Sequence, residues 1–261
     1  MTRSTSSNGQ ATVQQSLPGA GRRAGLYGQS SRHAMLSALG AVAMASAGLM
    51  APGLAMAADV VTTDTTAPTN PPNDRHVTTN SAAPVAAIVA AGDTVSGNGL
   101  ALTNTGAGGV LVINDGTITV DAGQAPTAGG TAALNLTGSG GSILYAGDGD
   151  VINSGVGNGL QVSQGGAGAV TVQATGAIVA TTGEGVVVRD VAASTGLSVT
   201  TGAVTALTGG QDGIDVQSFS TTGNVVVVAN GDLAAGNAGV VAAIFPAGGV
   251  GDISVTTNGA I

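Results

Sequence analysis

Short runs in which aliphatic and polar residues alternate, each run closed by glycine, cover the chain from about residue 85 to its end. Gly159-Leu160-Gln161-Val162 is one such run. Val170-Thr171-Val172 follows a Gly-rich turn from Gly165 to Gly168, and Ala177-Ile178-Val179 follows Gly176. Alternation at period two is the pattern of a β-strand with one buried face, so each unit predicts three short strands. Gly at this density argues against helices, because an interior Gly costs about 0.5–1 kcal/mol relative to Ala.

The units repeat. Gly97-Asn98-Gly99-Leu100 returns as Gly157-Asn158-Gly159-Leu160, and the register then holds through Leu102 with Val162, Gly106 with Gly166, Val110 with Val170, Val112 with Val172 and Ile118 with Ile178. A Gly-x-aliphatic anchor occurs at Gly116, Gly149, Gly176, Gly202, Gly231 and Gly259, with spacings of 33, 27, 26, 29 and 28 residues. A period near 27 with three strands per unit predicts an all-β fold, a right-handed parallel β-helix whose coils stack strand on strand. No coil buries its aliphatic face alone; its neighbours complete the core. Gly and Asn at the corners are expected to supply positive φ. Asn98-Gly99, Asn158-Gly159, Asn230-Gly231 and Asn258-Gly259 also match antiparallel hairpin turns and make a sandwich the competing fold. A membrane barrel is excluded for this segment, because Tyr27, Tyr145, Phe219 and Phe245 are the only aromatics and cannot build girdles.

Charge divides the 261 residues in two. Arg3, Arg22, Arg23 and Arg32 precede every acid, whereas Arg75 and Arg189 are the only basic side chains of Lys or Arg type set against fourteen acids from Asp59 onward. The basic start leads into the uncharged run Ala34 to Met50, broken by Pro52-Gly53 and followed by Ala55-Met56-Ala57. This is the layout of a signal peptide over 1–57 with cleavage between Ala57 and Ala58. The run of 17 residues sits near the lower limit of a membrane span, and Gly40, Gly48, Ser37 and Ser46 dilute it. Arg22-Arg23 lies too far ahead of the run to be a strong twin-arginine signal. Residues 58–84, with Pro68, Pro71, Pro72 and Pro84, read as a Thr/Pro-rich lead-in in which His76 is solvated. The chain has no Cys, which suits passage through an oxidising compartment. Its acidity argues against nucleic-acid partners, which need Lys and Arg to neutralise phosphate.

Candidate chemistry is sparse. A glycosidase needs two carboxylates in different surroundings, and Asp148-Asp150 and Asp212-Asp215 are the tight acidic pairs in Gly-rich turns. A lyase needs a strong base, and Arg189 is the only one after residue 76. Gly147-Asp148-Gly149-Asp150 and Gly210 to Asp215 are similar to fragments of a calcium-binding nonapeptide repeat, but the tandem spacing of nine is missing. No Gly-rich stretch is followed by Lys and a helix, so no phosphate loop is supported. We therefore expect no catalytic residues, no cofactor and no metal.

Signal peptide, Thr/Pro-rich lead-in and Gly-x-Ile coils together resemble the passenger region of Gram-negative autotransporters, over about residues 34–261. The resemblance implies a β-helix displayed on the outer membrane or secreted, with a structural or adhesive role. It also implies a surface receptor or self-association, and a translocating β-barrel as partner. This sequence departs from the family in having no C-terminal barrel, and two-partner secreted filamentous haemagglutinin-like proteins are similar in style. The chain stops at Ile261 within a repeat, and the expectation is an incomplete array whose last coil exposes Ile253, Val255 and Ile261. A polysaccharide-active enzyme and a periplasmic or surface-layer structural protein are the competing readings.

Overall fold

A computed structural model describes residues 59–62, 76–126, 131–191, 194–246 and 250–261. The signal-peptide reading and its cleavage pair Ala57 and Ala58 lie outside these residues. Among the described residues there are strands and turns and no helix. The strands form three parallel sheets of seven, eight and six strands, here called the first, second and third faces. One coil shows the plan. Asn158–Gln164 belongs to the first face, Val170–Ala174 to the second and Ile178–Ala180 to the third. The chain then returns to the first face at Val186–Asp190, which pairs in parallel with Asn158–Gln164. The protein is a parallel β-solenoid, and the three strands read from the alternation are the three sides of its coil.

Coil length follows from partners on the second face. Val85, Val110, Ile143, Val170, Leu197, Val225 and Ile253 stack in one column, at intervals of 25, 33, 27, 27, 28 and 28 residues. The long coil takes up its extra residues between Thr117–Val120 on the third face and Ala132–Gly138 on the first, and both strands keep their register.

The core is a stack of aliphatic layers. Leu160, Val162, Val170, Val172 and Ile178 point inward from one coil and are fully buried, above Leu134, Leu136, Ile143, Tyr145 and Val151 of the coil before. Burying one such side chain contributes roughly 1.5–3 kcal/mol, so a coil gains its stability from the layers on both sides of it.

The competing fold is excluded, and one expectation needs correction. The Asn-Gly pairs do not turn hairpins: among the described residues every strand pairing is parallel, and the only antiparallel contact is a single bridge from Asn98 to Val120. Nor is positive φ the usual reason for a corner glycine. Gly99 does adopt it, at φ 78°, but the anchor glycines Gly116, Gly149, Gly176, Gly202, Gly231 and Gly259 do not. They stack between the second and third faces, where a Cβ on Gly176 would lie 2.3 Å from the Gly149 carbonyl oxygen. Close approach of successive coils, not backbone handedness, demands glycine there. Two strands, Asp59–Thr62 and His76–Thr79, fall within the segment read as a lead-in and pair with the second and first faces. His76 thus sits in a strand, half-buried, with its Nε2 bonded to the Thr78 hydroxyl at 2.9 Å.

Candidate functional site

Stacking places the same position of each coil one strand spacing, about 4.8 Å, above the last. A side chain at a corner can therefore reach the backbone of the next coil, and several acids are used in this way. Asp150 opens a third-face strand, and its Oδ1 accepts the Ala177 amide at 2.9 Å. Asp232 does the same for Ala260 at 2.9 Å. Asp212, between the third and first faces, accepts the Ala238 amide at 3.1 Å and the Asn237 side-chain amide at 2.8 Å. Asn158 and Asn224 repeat the device toward Glu184 and Asp252.

The two acidic pairs singled out in the sequence come apart differently. Asp148 is exposed at its corner while Asp150 is bound to the next coil, so they do not converge. Asp212 and Asp215 gather a third carboxylate that sequence proximity does not show. Val186 lies beside Ile214, and this register sets Glu184 level with Asp212, one coil earlier. Asp215 is buried on the outer side of the first face, receives the Gln217 side-chain amide at 2.8 Å and pairs with Arg189 at 3.5 Å. Burial pushes the Asp215 carboxyl above its ordinary range, against the pull of the Gln217 bond and the Arg189 charge. Glu184 is also raised, first by burial and then by the negative charges of Asp215 and Asp212. Among the described residues, no three His, Asp or Glu side chains converge where they could hold a metal ion. The arrangement pairs Asp215 with the Arg189 guanidinium and sets the charges of Asp215 and Asp212 against Glu184.

Buried polar side chains at the corners are the feature sequence reasoning missed. Asn104, fully buried at the end of a first-face strand, accepts the Ser81 and Gly106 amides and donates to the Ala83 and Gly109 carbonyls. Asn153 does the corresponding work at the end of a third-face strand, with Gly155, Val156 and Asn158. Asn114 ends a second-face strand and donates to the Tyr145 hydroxyl at 3.2 Å inside the core. The signal that could have found them is position: each is a polar residue closing an aliphatic alternation on its inward phase. A further juxtaposition, equally hidden in the sequence, is Phe219 above Phe245. Their rings stack at 5.0 Å and 16°, both exposed, at successive corners between the first and second faces.

No family model matches the chain, no curated protein matches its sequence and no solved structure matches its fold.

Proposed function

We propose that the chain is an exported β-solenoid with a structural or adhesive role, displayed on the cell surface or released from it. The observation that carries this reading is where the acids go. Asp150 and Asp212, one from each acidic pair with which a polysaccharide-active site would have to be built, each accept a backbone amide of the next coil, as Asp232 does farther along. They act as fastenings between coils, and a stack so fastened presents long, regular outer faces. The basic leader, the uncharged run and the small-residue site at Ala57 and Ala58 support export. A translocating outer-membrane β-barrel and a surface receptor are the partners this reading implies.

Fractionation of expressing cells, with protease added from outside, tests it. The expected result is a chain that begins at Ala58 and is cleaved by external protease without lysis. A chain confined to the periplasm would favour an internal structural role. Reproducible turnover of an acidic polysaccharide, lost when Asp212 and Asp215 are changed to Asn, would replace this reading with an enzymatic one.

A further inference from the structure

The outer sides of the three faces differ in charge. In a strand successive side chains point to opposite sides, so the second and fourth positions of a five-residue strand face outward when the odd ones line the core. Across the seven second-face strands from Val85–Val89 to Ile253–Thr257 not one residue is charged. The first face carries Arg189, Asp190 and Asp215, and the third carries Asp150. The remaining acids of the described coils are concentrated at the corners, as at Asp93, Asp115, Asp148 and Asp232 beside the third face. Outward on the second face stand Leu111, Ile113 and Leu144, partly exposed, and farther along Val226, 37% exposed, and Val228. Threonine, serine and glutamine fill the rows between.

An acidic chain repels its own copies, and charge on an outer sheet surface is the common means by which β-proteins keep one another away. The seven second-face strands from Val85–Val89 onward lack that protection; the eighth, Asp59–Thr62, carries Asp59 at the far end of the sheet. We propose that two copies of this chain pack second face to second face, sheet on sheet. A flat face of seven strands measures about 34 Å by 17 Å at ordinary strand spacing and rise, roughly 600 Å² per copy. The total of about 1,200 Å² meets the lower end for a specific interface, which fits a weak, concentration-dependent dimer and not a permanent one. Aliphatic rows meet aliphatic rows or hydroxyl rows, no charge is buried, and the acids stay at the wet rim. The proposal names the surface for the self-association that the functional reading allows. It stands without display at the cell surface, because the outer face is the same wherever the chain resides.

Sedimentation equilibrium of the full chain, over a range of concentration at neutral pH, tests it. Wild type should pass from monomer to dimer. Thr171→Glu with Thr200→Glu, both on outward second-face positions, should weaken the dimer about tenfold or more by setting like charges opposite one another. Thr205→Glu, outward on the third face, should leave it unchanged, and a β-type circular dichroism spectrum shared by all variants reports intact folding. The chain has no Cys, so Leu111→Cys or Ser198→Cys supplies a single handle. A short bismaleimide should join two such chains, whereas Thr205→Cys chains should stay single. A wild type that remains monomeric throughout, a dimer equally sensitive to Thr205→Glu, or growth past two copies would overturn the proposal. Fractionation bears on export and sedimentation on this face, so the two failures are told apart.

Discussion

Glycine has two separate jobs in this molecule, and substitution separates them. A methyl group at Gly176 would stand 2.3 Å from one carbonyl oxygen and 2.6 Å from another, both backbone and unable to yield without shifting a coil. Gly176→Ala should therefore destabilise by about 1–3 kcal/mol, the usual range for forced overpacking. Gly209 has open space around its missing Cβ and no positive φ. Gly209→Ala should be neutral or stabilising by about 0.4–1 kcal/mol, through the unfolded chain. Urea unfolding of the two variants checks both signs. Tyr145 offers a test of core burial at a single atom. Burial pushes its phenol up to about 12, with the charges of Asp150 and Asp115 adding and the Asn114 bond opposing. The folded state thus keeps a proton that the unfolded chain loses near the ordinary value of 10.0. The linked stability is complete below that pH and is lost as pH rises through about 12, so tyrosinate absorbance should appear late and together with alkaline unfolding.

At the scale of the element, strands and corners were unequally legible. The three strands per coil could be read because aliphatic alternation is local and glycine marks its ends. Leu160, Val162, Val170 and Val172 needed nothing outside their own run to declare an inward face. The corner residues could not be read so, because Asn104 meets Ser81 and Ala83, twenty-odd residues back in the chain. An Asn at the end of a strand looks in sequence like any turn former. In the structure it closes four partly buried backbone groups with one buried side chain. Asn104→Ala removes all four bonds at once and should cost on the order of 3 kcal/mol, more than an exposed turn Asn would. Loss of hydrogen-exchange protection at Ser81, Gly106 and their neighbours, ahead of global unfolding, is the measurement that localises the effect.

At the scale of the whole molecule, stacking turns every position into a column, and a column makes neighbours of residues that sequence keeps apart. This is why Glu184 meets Asp212, and why Phe219 meets Phe245, without any local sign of it. The repeat phase was legible and so, in principle, was the column; the side chains' use of it depended on burial that only the folded stack defines. The carboxylates around Arg189 give this a pH dependence. Glu184 and Asp215 are raised from ordinary values of 4.5 and 3.8, so the folded state holds protons that the unfolded chain releases. Their contribution is greatest below those values and is lost as pH rises through the raised ones. The coils from Glu184 to Ile244 should therefore resist urea better in mild acid than at neutrality. Glu184→Gln should flatten that dependence and stabilise the neutral protein, and unfolding midpoints across this pH range decide it.

The long coil stacks in the same register as its shorter neighbours, even though it carries several more residues. Vertical distance in this molecule is metered by hydrogen bonds between strands, and the length of chain used in going round is left free at the corner between the third and first faces. That corner works as a port through which sequence can be added without altering the pitch of the stack. A foreign loop of six or so residues placed between Thr208 and Gln211, at the equivalent corner three coils further on, should leave the unfolding midpoint within about 1 kcal/mol of wild type, since closing a somewhat longer loop costs little. The same loop placed between Val172 and Gln173, inside a second-face strand, should abolish cooperative unfolding of the coils around it.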